Sequence, residues 1–174
     1  MGSPMSIFPI ELEDKAKNLL ERCRAKGIRL GSVESCTGGL LAGLLTQVPG
    51  ASDVVMSGLV TYANAAKTHL AGVDKDLIAA QGAVSEDVAV AMAYGGLQAD
   101  YIDLSIALTG IAGPGSDSDT KPAGLVWLAA AQRTGAKTAV ITKKCDFGDI
   151  GRENVRLASV DTAIDLMNDL LDQA

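Results

Sequence analysis

The chain has 174 residues, a formal net charge of -6, a hydrophobic share of 48% and only 3% aromatic residues. One domain of this size buries about 70% of the surface its unfolded chain exposes, so it needs no disulfide or structural metal. The acidic balance and the scarcity of aromatics exclude the basic stripe and the stacking platform that grip nucleic acid, so no nucleic-acid partner is expected.

At the N-terminus, MGSPMSIFPI lacks a basic segment leading into an apolar run, and no apolar stretch of 18 residues is free of charges and turn formers. Neither a signal peptide nor a membrane span is expected, and a cytoplasmic location is. Residues 1–9 read as an N-terminal extension, with its first four residues an addition ahead of a natural start at Met5. Residues 10–174 read as one domain. Helical spacing of Leu12, Ala16, Leu19, Leu20 and Cys23 predicts a helix from about Glu11 to Lys26, ended by Gly27. Ile28 to Val33 reads as a strand, followed by Glu-Ser-Cys-Thr-Gly-Gly at 34–39 and a helix from about Gly38 to Gln47. Val54 to Thr61 is a second strand, leading to an alanine-rich helix that carries Lys67 and breaks at Gly72. A short helix near 76–80 precedes one capped by Ser85 and running to about Gln98. Strands follow at Tyr101 to Thr109, Ala123 to Ala131 and Ala136 to Lys144, the last two joined by a hairpin at 132–135. A final helix covers roughly Arg152 to Leu171. The order implies a single-domain three-layer α/β/α sandwich with a mixed sheet.

Three strand-end loops could carry chemistry. In the first, Ser35, Cys36 and Thr37 offer nucleophilic or hydrogen-bonding groups, and Gly38 and Gly39 let a ligand approach backbone N–H groups. Simple helix capping by Ser35 or Thr37 explains the same pattern. The loop is neither a Walker A sequence, a Rossmann fingerprint nor a GxSxG elbow. His69 is the only histidine and reads as an exposed helix residue, so a serine here would need another base. Tyr62 and Lys67, after the second strand, supply one if burial keeps the lysine neutral; a surface lysine is the alternative. The third loop begins Thr109-Gly110 and contains Asp117 and Asp119, whose spacing invites calcium but lacks the remaining EF-hand ligands, so no metal is expected. Arg152 and Arg156 lie four apart near the start of the last helix, where cations suit surface ion pairs or an anionic substrate. Cys23, Cys36 and Cys145 form no CxxC pair and read as reduced thiols.

The segments Glu-Ser-Cys-Thr-Gly-Gly (34–39), Val-Thr-Tyr-Ala-Asn-Ala-Ala-Lys (60–67), Gly-Ala-Val-Ser-Glu (82–86), Thr-Gly-Ile-Ala-Gly-Pro (109–114), Lys-Pro-Ala-Gly-Leu-Val-Trp (121–127) and Arg-Glu-Asn-Val-Arg (152–156) occur in that order. In this the chain resembles the C-terminal domain of the CinA family, which also occurs as a stand-alone nicotinamide mononucleotide deamidase. The resemblance implies an α/β/α sandwich and a metal-independent, cofactor-free amidohydrolase of pyridine nucleotide recycling, acting on a pyridine mononucleotide. It implies Ser35 as nucleophile with Tyr62 and Lys67 as partners. The family's strand-end hydroxyl falls on Thr109 and the arginine of its Gly-Asp-Arg segment on Arg152, displaced here from Asp149 by Ile150-Gly151. Substrate contacts are expected from Cys36, Thr37, Gly38, Gly39, Thr109, Gly110, Arg152 and Arg156, and a homo-oligomer is expected. Functions of the pterin-binding-like domain in longer relatives are not carried over. A nucleotide-binding module of the same fold with little catalysis is the competing function.

Overall fold

A computed structural model describes residues 7–116 and 120–173. Its elements are α1 (Ile10–Lys26), β1 (Leu30–Glu34), α2 (Leu40–Gln47), β2 (Val55–Val60), α3 (Asn64–Ala71), α4 (Lys75–Gln81), α5 (Glu86–Gly96), β3 (Leu104–Gly110), β4 (Leu125–Thr134), β5 (Lys137–Asp146) and α6 (Arg152–Asp172). The sheet order is β2-β1-β3-β4-β5. β1 pairs parallel with β2 and β3, and β4 and β5 add antiparallel, which is the expected mixed sheet.

Side-chain alternation along β3 shows how both faces are filled. Leu104, Ile106 and Leu108 face a core shared with α1, α2 and α6, while Ala107 faces a second core with α3, α4 and α5. The first core takes leucines from α1 and α2 and Ile164, Met167 and Leu170 from α6. Phe8 joins it, so the expected extension already contributes to packing before α1 begins. The second face is lined by small residues, Ala107, Ala129 and Ala131, which let α5 sit close. The glycines at its C-terminal end extend that logic: a Cβ on Gly95 would run into the Ala71 carbonyl, and one on Gly96 into the Ser105 hydroxyl.

Polar contacts tie the outer layer. Lys15 on α1 reaches Asp161 at 2.6 Å and Asp165 at 3.0 Å on α6, and Arg22 pairs with Asp172. Partly exposed pairs like these contribute only about 0.2–1 kcal/mol each, so the apolar seam beneath them holds the two helices together.

Two boundaries differ from expectation. The β4–β5 hairpin is tighter than the four-residue turn read at 132–135: Thr134 pairs with Lys137, leaving Gly135 and Ala136 as the turn. Gly135 has φ +63°, the conformation a two-residue hairpin asks of its first central residue. β3 begins at Leu104 because Asp103 is occupied before it, accepting from the Arg29 backbone N–H at 2.9 Å and its Nε at 2.8 Å. Asp117 and Asp119 lie outside the described residues. Among the described residues no helix is long and apolar enough to cross a membrane.

Close packing of α5 and the open surface of α2 give opposite expectations for two glycines. Gly95→Ala should destabilise by at least about 2 kcal/mol, because the obstacle is backbone that cannot rotate away. Gly43→Ala, on the exposed face of α2 with no atom nearer than 3.8 Å to its added methyl, should stabilise by about 0.5–1 kcal/mol. Urea unfolding midpoints of the two variants measure both signs.

Candidate functional site

The three parallel strands end at one rim. Because β1 lies between β2 and β3, the chain leaves β1 in one direction and later crosses back to its other side, so a crevice opens beyond its C-terminal end. A cleft of about 570 Å³ occupies this crevice, lined by Ser35, Cys36, Tyr62, Lys67, Thr109 and Arg152 among others. Its size suits a small molecule. Ile78, Val84, Ile111 and Ala112 supply an apolar wall, and among the described residues no Asp or Glu lines it.

Lys67 forms the floor. It sits on the first turns of α3, and its side chain points inward until only 1% of the residue is exposed. Its Nζ lies 3.0 Å from Ser35 Oγ, 2.9 Å from the Thr61 carbonyl and 3.5 Å from the Tyr62 carbonyl. Burial holds its pKa below the ordinary lysine value, only partly opposed by a nearby Cys36 thiolate if one formed. A neutral amine has two N–H groups and one lone pair. Lys67 Nζ donates to the two carbonyls and to the Ser35 hydroxyl; in the neutral form two N–H groups would keep the carbonyls and the lone pair would face the Ser35 proton.

The turn after β1 is held from behind. Glu34 is fully buried, yet its carboxylate turns back over the turn to α2 and accepts from Gly39 N–H (3.1 Å), Leu41 N–H (3.1 Å) and Ala42 N–H (2.8 Å). Gly38 N–H goes to the Ser35 carbonyl at 3.0 Å and Leu40 N–H to the Thr37 carbonyl at 3.2 Å. Gly38 and Gly39 have φ +62° and +92°, so their backbone conformation is what requires glycine. The start of α2 is therefore saturated internally. The N–H groups of Cys36 and Thr37 instead face the Cys36 sulfur, a weak acceptor.

The three candidate nucleophiles separate clearly. Cys36 is pushed up to about 11 by burial, so it stays a protonated thiol near neutral pH. Thr37 is fully buried and does not line the cleft. Ser35 alone has an amine against its hydroxyl.

Several residues stand differently from expectation. Gly38, Gly39 and Arg156, like Thr37, do not line the cleft. Arg156 donates through Nη2 to the Thr37 carbonyl at 2.7 Å, so it props the turn from the side of α6. The Tyr62 phenol is turned away from the serine–lysine pair and accepts from Arg152 Nη2 at 3.0 Å; a relay through that hydroxyl does not fit this arrangement. Arg152 also donates through Nη1 to the Gly113 carbonyl at 2.8 Å, which places the guanidinium at the cleft mouth. Thr109 donates to the Ala83 carbonyl at 2.7 Å and so fixes the loop between α4 and α5 against the strand end. Gly110 lines the cleft, but a Cβ there would meet Val126 and the Leu125 carbonyl, so β4 packing also requires the glycine. His69 is exposed on α3. Glu34 is the residue that sequence reasoning missed: it was read only as the first letter of a loop motif. No group of three His, Cys, Asp or Glu side chains that could hold a metal forms among the described residues.

Residues 12–171 match the family described as CinA C-terminal domain. A CinA-like protein of Geobacter sulfurreducens is 48% identical over 142 residues, which is 82% of this chain and 33% of that protein. The chain spans about a third of the length of the curated relatives it matches. Among solved structures, the competence/damage inducible protein CihA from Agrobacterium tumefaciens superposes with a TM-score of 0.90 at 43% identity, covering 97% of this chain and 99% of that one. A CinA superfamily protein from Klebsiella pneumoniae gives a TM-score of 0.87 at 30% identity, covering 94% of this chain and 99% of that one. The layered fold, the order of the motif segments and the near-complete match place the chain in the CinA C-terminal domain family.

Proposed function

We propose that the chain is a metal-independent amide hydrolase that converts nicotinamide mononucleotide and water to nicotinate mononucleotide and ammonia. The observation that carries this reading is the buried Lys67 amine 3.0 Å from Ser35 Oγ, with its pKa lowered by burial. Ser35 attacks the carboxamide carbon as its proton passes to Lys67, which has the lone pair to accept it. The carbonyl oxygen becomes an oxyanion, and the Cys36 N–H, on the cleft-lining residue directly after the nucleophile, is the backbone donor that would meet it. Lys67 then returns the proton to the departing nitrogen, ammonia leaves, and an acyl-serine remains. A water attacks that ester, again giving its proton to Lys67, and the tetrahedral adduct collapses to release the carboxylate and restore the serine. Tyr62 serves through its carbonyl, which faces Lys67, and through its phenol, which orients Arg152.

The rest of the ligand fits the remaining walls. Arg152 uses two of its guanidinium donors on Gly113 and Tyr62, leaving N–H groups at the mouth for a phosphate. The apolar wall suits the flat pyridine ring. The substrate is thus held by a local cation in a protein whose formal charge is -6.

Purified protein treated with EDTA should release ammonia from nicotinamide mononucleotide, and Ser35→Ala should lose about 10³-fold or more of that rate. Undiminished release by Ser35→Ala would remove the serine mechanism; saturable binding without product in the wild type would favour a binding module.

Lys67 gives a pH expectation with a fixed sign. Its folded pKa lies below the ordinary value of 10.5, so between those two values the unfolded chain binds more protons than the folded one. Stability from this group rises with pH across that window, and its penalty is fully present below the folded value. Lys67→Met should lack this rise, so the stability of the wild type relative to the variant should improve from pH 7 to pH 10. The same variant should lose about 10²–10⁴-fold in kcat, and the wild-type rate should climb with pH along an acid limb below 10.5.

Arg152→Ala should weaken kcat/KM for the phosphorylated substrate by about 10-fold or more while sparing the phosphate-free riboside, and Arg152→Lys should recover only part of the loss. An unchanged ratio of the two substrates in Arg152→Ala would take the phosphate elsewhere.

A further inference from the structure

We infer that Glu34 is a positioning residue for the nucleophile: its carboxylate fixes the turn that presents the Ser35 hydroxyl and decides which backbone N–H groups are left for the substrate. The inference rests on the reading of Ser35 as nucleophile and goes beyond it, because Glu34 touches neither the cleft nor the reacting atoms.

The argument begins with the donors around the carboxylate. Oε2 accepts from Gly39 and Leu41, and Oε1 accepts from Ala42 and from the Ser32 hydroxyl at 3.3 Å. Four donors converge on one fully buried side chain, and no cation pairs with it among the described residues. Only an acceptor-only group satisfies that arrangement. A glutamine of the same shape would aim its NH₂ at the Gly39 and Leu41 N–H groups in one amide orientation and at the Ala42 N–H in the other. The acceptors lie at the first-turn N–H groups of α2.

Ordinary capping does not require this residue. A side chain at the position just before a helix usually supplies the cap, but here the acceptor comes from the end of β1, across the whole nucleophile turn. The turn is therefore clamped at both ends by one residue. Its main chain is strand: Ser35 N–H donates to the Leu108 carbonyl at 2.9 Å, and Thr61 N–H donates to the Glu34 carbonyl at 2.7 Å. Its side chain is the helix cap. Thr61 in turn presents the carbonyl that holds Lys67 Nζ at 2.9 Å. Nucleophile and base are thus referenced to the same residue.

The clamp also sorts the donors. Gly39, Leu41 and Ala42 would otherwise offer N–H groups to any anion near α2, and Glu34 takes all three. Cys36, directly after the nucleophile and lining the cleft, has its N–H outside that set. Loss of the clamp frees competing donors and loosens the turn that carries it.

The test uses Glu34→Gln and Ser32→Ala in the full chain, with a serine-directed fluorophosphonate to report Ser35 reactivity alongside steady-state hydrolysis of nicotinamide mononucleotide. Glu34→Gln should lower both kcat and the labelling rate by at least about tenfold, with KM changed by less than about threefold. The pH of the acid limb should stay in place, since burial of Lys67 is the same. Ser32→Ala, which removes one of four contacts and keeps the charge, should show a smaller loss of about two- to fivefold in the same two quantities. A folded Glu34→Gln that labels and turns over like the wild type would overturn the inference while leaving the Ser35 reading intact. If Glu34→Gln fails to fold, unchanged labelling and kcat in Ser32→Ala would overturn it instead. Wild-type protein that neither labels at Ser35 nor releases ammonia would remove the nucleophile reading, and the positioning role with it.

Discussion

A lysine amine buried against a serine hydroxyl, without a carboxylate partner among the described residues, is the constraint around which the rest of the molecule is arranged. Burial of an isolated ammonium is costly, and the protein avoids the cost by favouring the neutral amine. This requires the amine to be satisfied as an amine, by acceptors for two N–H groups and a donor for one lone pair. The short link from β2 to α3 provides the acceptors as the Thr61 and Tyr62 carbonyls, while the end of β1 provides the hydroxyl. The parallel pairing of β1 with β2 makes the two meet, because it brings both strand ends to the same rim in register, Glu34 opposite Val60.

That constraint explains a feature that would otherwise be a liability. A buried carboxylate, Glu34, stands immediately before the serine. Were it free to pair with Lys67, the ammonium would be favoured and its lone pair lost. The start of α2 prevents this by occupying the carboxylate with three backbone donors. The two buried groups thus have separate surroundings: burial lowers the Lys67 pKa, and the Glu34 carboxylate is taken up by three backbone N–H groups. The left-handed glycines at 38 and 39 make this possible, since they bend the chain tightly enough for α2 to begin within reach of Glu34. Arg156 braces the opposite side through the Thr37 carbonyl.

The elements were largely legible in the sequence because each carries its own punctuation. Gly27 and Gly72 end α1 and α3 in left-handed conformations, and Ser85 caps α5 by accepting from Val88 N–H at 3.3 Å. The rim was legible too, since glycine and hydroxyl residues cluster at strand ends in an open α/β sheet. What could not be read was direction. Lys67 on an alanine-rich helix looks like a surface lysine until α3 is seen to turn it under the strand ends. Arg152 and Arg156 share helical spacing, yet one reaches the Gly113 carbonyl and the Tyr62 phenol at the cleft mouth and the other the Thr37 carbonyl. Glu34 escaped notice because its partners lie five to eight residues downstream, beyond the span of local capping rules, and only the strand–turn–helix geometry brings them together. The tight hairpin hid for a simpler reason: Gln132 and Arg133 look like turn residues, but Gln132 pairs with Leu104 inside the sheet.

The charge distribution follows from the same economy of placement. The chain is acidic overall, yet the described lining of the cleft contains no carboxylate, and its cationic side chains are Lys67 and Arg152. The acids lie elsewhere: Asp161, Asp165 and Asp172 are spent on the α1–α6 seam, and Glu34 is sealed behind the nucleophile. The Arg152 guanidinium stands at the mouth, and burial lowers the Lys67 pKa on the floor. An anion entering the cleft would meet its attraction at the mouth, apart from the serine–lysine pair. A second permanent cation near Lys67 would sharpen selection and depress the lysine further, whereas a carboxylate there would undo both.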